Sequence, residues 1–151
     1  MLSFFQWLEG LGFGAGSEYL GAFINVAHLL ALTMFIGAIL IVDLRLLGSG
    51  MRKQPVGEIS RNAQPWMLGG FAMMVITGVL QVVATPMKAY YSEQFWLKMQ
   101  LLVVAVIFTA VVRGLIVSRH EAPAWGKFAG VVSIALWSYI AVQGRLIGLL
   151  Q

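Results

Sequence analysis

The chain contains no cysteine, and only six of its 151 residues are acidic. Without thiols there is no disulfide, no thiolate metal site and no cysteine nucleophile, and the redox compartment cannot be read from sulfur. The scarcity of carboxylates weighs against a proton-coupled exporter, which needs an acid in mid-membrane, since none of the six falls in the middle of an apolar run. Histidine is rarer still, with two residues, His28 and His120. No nucleophile, base and acid stand together as hydrolysis would require, and the phosphate-loop, dinucleotide and zinc-protease patterns are missing. Charged residues total 11 %, where a soluble domain carries roughly 25 %.

What fills the chain instead is apolar. Hydrophobic residues make up 60 % and the mean hydropathy is +0.85, the composition of an integral membrane protein. In lipid every backbone N–H and C=O must be satisfied internally, which uninterrupted helices achieve. The net charge of +4 does not point to a nucleic-acid partner, because the ten Lys and Arg are spread over span ends and connections, where they act as topology signals.

The spacing predicts an all-α integral membrane fold: a four-helix antiparallel bundle in one domain, preceded by a short helix in the interface plane. That first helix, within residues 1–16, follows from Leu2, Phe5, Leu8 and Leu11 at helical spacing, with Phe4 and Trp7 alongside. No basic leader precedes it, so cleavage is not expected. Spans are expected at 18–46, with Ser17 as N-cap, and at 66–85, 95–118 and 125–148. Pro55, Pro65, Pro86 and Pro123 are expected between them, since proline disrupts a helix interior. Arg45, Arg52, Lys53, Arg61, Arg113, Arg119 and Lys127 gather at one side, against Lys88, Lys98 and Arg145 at the other. The bias predicts both termini outside the cytoplasm, which for a bacterial inner membrane is the periplasm. Trp7, Tyr19, Tyr90, Tyr91 and Trp96 form the expected outer aromatic belt, and Trp66 and Trp125 the inner one.

The candidate chemistry starts at His28, which lies about ten residues into the first span, in the outer part of the bilayer. An imidazole within a membrane needs partners and commonly serves a function there. Asn25 is one turn away to orient it; Gln81 or Gln100 would satisfy it in a purely structural role. Lys98 and Arg145 stand nearer the outer surface on other spans. A single imidazole beneath two cations in an apolar setting fits a haem b, with iron on His28 and propionates on Lys98 and Arg145. Met99 is the nearest methionine for the sixth position, although about a turn too shallow. Five-coordinate, His/Met and cross-subunit ligation all stay open, because His120 sits a bilayer thickness away as a solvated loop residue. The alternatives are copper handling through His28 with Met87 and Met99, or a non-catalytic structural subunit. At the inner end Asp43 is expected to pair with Arg113 or Arg61, with Arg45 alongside, as a clamp on helix register. Glycine-bearing apolar faces predict a homo-oligomer, a dimer or trimer.

The stretch HLLALTMFIGAILIVDLRLLG from His28, FWLKMQLL around Lys98 and LWSYIAVQGRLIG around Arg145 resemble, over nearly the whole chain, a family of small bacterial membrane proteins of unknown function with four predicted spans. That resemblance implies the topology and makes His28, Asp43, Arg45, Lys98 and Arg145 a matched set. More loosely, the architecture is similar to cytochrome b561-like proteins and to membrane domains linked to copper resistance. This would imply electron transfer with a quinone or another redox partner, or chemistry with oxygen species. Those cytochromes pair several intramembrane histidines where this chain has one.

Overall fold

A computed structural model describes residues 1–12 and 18–149. Among them there are six helices and no strand: α1 Leu2–Gly10, α2 Glu18–Leu47, α3 Val56–Ala84, α4 Pro86–Tyr91, α5 Glu93–Ile116 and α6 Gly126–Leu149. The expected cap Ser17 lies outside the described residues.

Four of these helices contain segments long and apolar enough to cross a bilayer: Tyr19–Leu47, Val56–Ala84, Glu93–Ile116 and Gly126–Leu146, with mean hydropathies of 2.2, 2.0, 2.3 and 1.2 over an 18-residue stretch of each. Phe23, Ile76, Val103 and Phe128 each expose more than half their surface. An apolar exterior of this kind suits lipid and would be costly in water. This is an all-α membrane bundle.

Local chemistry explains several helix ends. At the end of α2, Gly48 takes φ 76°, its N–H donating to Arg45 O and that of Ser49 to Leu44 O at 3.0 Å. This left-handed terminator satisfies carbonyls the helix would leave open. Arg45 then donates through Nε to Gln54 O at 3.0 Å, fastening the connection beneath the helix end. At the start of α5, Ser92 Oγ accepts from Phe95 N–H at 3.2 Å, so the N-cap falls three residues earlier than the expected start. The first N–H groups of α3 find partners in another connection, Val56 donating to His120 O at 3.1 Å and Gly57 to Arg119 O at 3.0 Å.

One boundary departs from expectation. Helix α3 begins at Val56, and Pro65 lies inside it rather than framing it. Proline removes one N–H from the ladder, but Pro65 is exposed, while Ile59 and Ala63 before it and Gly70 and Met74 after it are buried. Packing on both sides of the proline holds the two halves as one helix. The short α4 between the second and third spans was not expected either; Pro86 occupies its first turn, where the missing N–H costs nothing.

Helix α2 is central. It packs along α3 and α6, α5 packs on α6, and α3 and α5 meet only slightly. Two apolar clusters stack along the bundle. One joins Ala31, Phe35, Ile39, Met74, Ala105, Trp137 and Ile140; the other joins Ala38, Val42, Leu46, Val56, Ile59, Ala63 and Ile116. Close approach depends on two glycines. A Cβ at Gly70 would stand 2.8 Å from Phe35 N, and one at Gly57 would collide with the Val117 and Arg119 carbonyls.

Candidate functional site: two polar layers

The spans are apolar, yet each contributes one inward polar side chain at each of two levels. The first level holds His28 on α2, Thr77 on α3, Lys98 on α5 and Gln143 on α6. The second holds Asp43 on α2, Ser60 on α3, Arg113 on α5 and Ser133 on α6. The Phe35 and Trp137 cluster lies between them. On α2 the two levels are roughly 22 Å apart at 1.5 Å per residue. Lys98 and Arg113 are spaced on α5 as His28 and Asp43 are on α2, and about four turns return each pair close to one helix face.

At the first level His28 is half-buried, and its Nδ1 lies 2.8 Å from Thr77 Oγ1. That hydroxyl has one proton and faces two carbonyls of its own helix, Met73 O at 2.7 Å and Met74 O at 3.2 Å. Its proton is therefore committed to the backbone, and the oxygen accepts from His28 Nδ1–H. In the neutral ring this leaves the Nε2 lone pair unprotonated. Gly78 gives the ring its room, since a Cβ there would stand 3.5 Å from His28 Cε1. Lys98 does not reach outward along the surface. Its side chain lies across Gly144, where a Cβ would stand 3.0 Å from Nζ, and its charge is near enough to act on the imidazole. Gln143 is buried and makes no hydrogen bond among the described residues.

Of the other expected members of this level, Asn25 and Arg145 are exposed, Arg145 directly after the glycine over which Lys98 lies. Met99 is half-buried, as is Met87 on α4, and neither touches His28 through any bond the structure gives. His120 is exposed in the connection after α5, contributing its carbonyl to the start of α3. Thr77, not Gln81 or Gln100, satisfies the ring.

At the second level Asp43 is 4 % exposed, and its Oδ2 has no hydrogen-bond partner. The Ser133 hydroxyl faces the carboxyl. The expected ion pair is not formed: among the described residues Asp43 is joined to neither Arg113 nor Arg61. Arg113 donates to Ser60 O instead, and Arg61 is exposed. The physical reason is that a backbone carbonyl of α3 already holds the guanidinium. Arg45 is committed to the carbonyls of Gln54 and Arg52. Ser60 Oγ is buried and unpartnered.

The sequence reading missed Thr77, Ser60, Ser133 and Gln143. No signal in the sequence alone singles them out, because the same spans hold other hydroxyls and amides, such as Gln81, Gln100 and Ser138, and helix rotation decides which of them face inward. Among the described residues no three of His, Cys, Asp and Glu gather as a metal site. No curated protein and no solved structure matches the chain. A family model does match, over residues 4–150, so the chain belongs to the family of unknown function DUF6644.

Proposed function

We propose that this protein is a b-type haem-binding protein of the bacterial inner membrane, with both termini outside and the His28 level toward the outer face. In this reading His28 Nε2 is the axial ligand. The observation that carries it is the His28 to Thr77 hydrogen bond. Ligating histidines characteristically donate their second nitrogen to a fixed acceptor, which sets tautomer and ring orientation, and Thr77 does this from a neighbouring helix.

The donor set favours haem over a bare metal ion. A lone imidazole near an ammonium is a poor site for copper, since Lys98 repels a cation and no second strong ligand stands close. A porphyrin brings four nitrogen donors of its own and two carboxylates, so one imidazole with Lys98 and Arg145 suits it. Gly78 beside the ring and Gly144 beneath Lys98 keep Cβ atoms out of the space around both groups. The α3 and α5 helices meet only slightly, and this supports lateral access between them.

Haem there would supply one-electron redox chemistry, as in the cytochrome b561-like proteins the chain loosely resembles, with a quinone or a redox protein as exchange partner. The chain's own residues hold and tune: Thr77 orients the ring, the apolar walls lower the polarity around it, and Lys98 and Arg145 balance propionate charge. The sixth position is readable from the spectrum. A bis-imidazole signature would mean that two copies share one haem, because His120 lies at the opposite end.

The test is the absorption spectrum of protein purified from haem-replete cells, with haem stoichiometry measured alongside. A Soret band near one haem per chain, or per two chains if shared, is expected. A folded, colourless preparation that also fails to take up added haem refutes the reading.

A further inference from the structure

The second polar level has no part in haem binding, and it contains two buried polar atoms without partners, Asp43 Oδ2 and Ser60 Oγ. An orphaned carboxylate oxygen in a low-dielectric interior is expensive. A neighbouring cation normally removes that expense, and here the nearest candidate, Arg113, is turned to Ser60 O. The Ser133 hydroxyl faces the carboxyl. Ser133 and Arg113 also line a small cavity of about 20 Å³ whose walls, with Ile39, Val42 and Val112, are almost wholly apolar, so a water there would lack the two to four polar partners it needs.

We propose that Asp43 and Ser133 form a proton-binding site, with the Asp43 carboxyl as the group that takes the proton. The proton comes from water at the Asp43 end of the bundle. An O–H bond of a hydronium breaks, an O–H bond to the carboxylate forms, and no electron moves. Asp43 lies about one turn from the end of α2 at Leu47, so the distance to that surface is short.

The charged groups around the site favour a proton over a metal cation. On α5 Arg113 lines the cavity; on α6 Lys127 is exposed; on α3 Glu58 and Arg61 are exposed; on α2 Arg45 is held by the loop carbonyls. A sodium-sized ion would have one carboxylate and meet a guanidinium across the cavity. A proton on Asp43 removes the orphaned charge.

The experiment uses a feature of the composition: Asp43 is the only aspartate in the chain. Full-length protein made by cell-free synthesis with ¹³C-carboxyl aspartate, placed in bilayers without haem, reports that one carboxyl by solid-state NMR. The proposal predicts a protonated-acid signal that converts reversibly to carboxylate as pH is raised, and a displaced conversion in Ser133→Ala. A carboxylate signal at every pH, or an acid signal that never responds to pH, would overturn it. Should Ser133→Ala fail to fold, the wild-type titration decides alone. Because no haem is present, the outcome is independent of the function proposed for His28.

Discussion

The two polar layers use the same plan and reach opposite outcomes. Each draws one side chain from each of α2, α3, α5 and α6, with the titratable group on α2 and the cation on α5. In the His28 layer the polar groups reach across helices: imidazole to hydroxyl between α2 and α3, ammonium over glycine between α5 and α6. In the Asp43 layer the cation is taken by a backbone carbonyl, leaving one oxygen of the acid and a serine hydroxyl without partners. A layer whose imidazole is held through one nitrogen and keeps a lone pair on the other is suited to a ligand. A layer with an orphaned acid oxygen is suited to a proton.

The largest expected break in this contrast is His28→Ala, which should remove haem binding entirely while leaving a folded bundle, measured by haem content and thermal aggregation in detergent. Next is Thr77→Val, which keeps the volume and deletes the acceptor for Nδ1–H. Loss of such an outer partner typically weakens metal affinity about 10–100-fold, read as a raised dissociation constant for haem. A structural effect of similar size belongs to Gly57→Ala, whose methyl would meet the Val117 and Arg119 carbonyls. Overpacking costs about 1–3 kcal/mol, visible as a lower midpoint of thermal unfolding with haem affinity unchanged.

Lys98→Met should weaken haem binding by several-fold, and Arg145→Ala by less, because Arg145 is exposed and exposed ion pairs contribute only about 0–1 kcal/mol. Equal losses for the two would mean that Lys98 gains nothing from its position over Gly144. The smallest effect is expected from Ser60→Ala. Its hydroxyl is buried without a partner, so deleting it should leave stability unchanged or slightly raised, the reverse of what a bonded serine would show.

The spans and the α2 and α5 members of both layers were legible in the sequence. Apolar runs announce membrane helices, and a histidine, lysine, aspartate or arginine inside one is conspicuous because burying it unpaired is costly. Thr77, Ser133 and Ser60 were not legible, since a hydroxyl in a membrane helix can bond its own backbone and carries no signal until helix rotation is known. The same limit explains the Asp43 ion pair. Depth along the membrane follows from residue count, but whether a guanidinium turns to a carboxylate or to a carbonyl depends on which helix neighbours it. Pro65 misled for a related reason: proline predicts a break locally, and burial on both sides of it decided otherwise.

The central claim is that the His28 layer, and not the Asp43 layer, binds haem. The most direct measurement is a set of absorption spectra, taken at equal protein concentration after loading with haem, for the wild type, His28→Ala and Asp43→Asn. The account predicts a Soret band of equal intensity in the wild type and Asp43→Asn and none above free haem in His28→Ala. A band that persists in folded His28→Ala, or its absence from the loaded wild type, would contradict it.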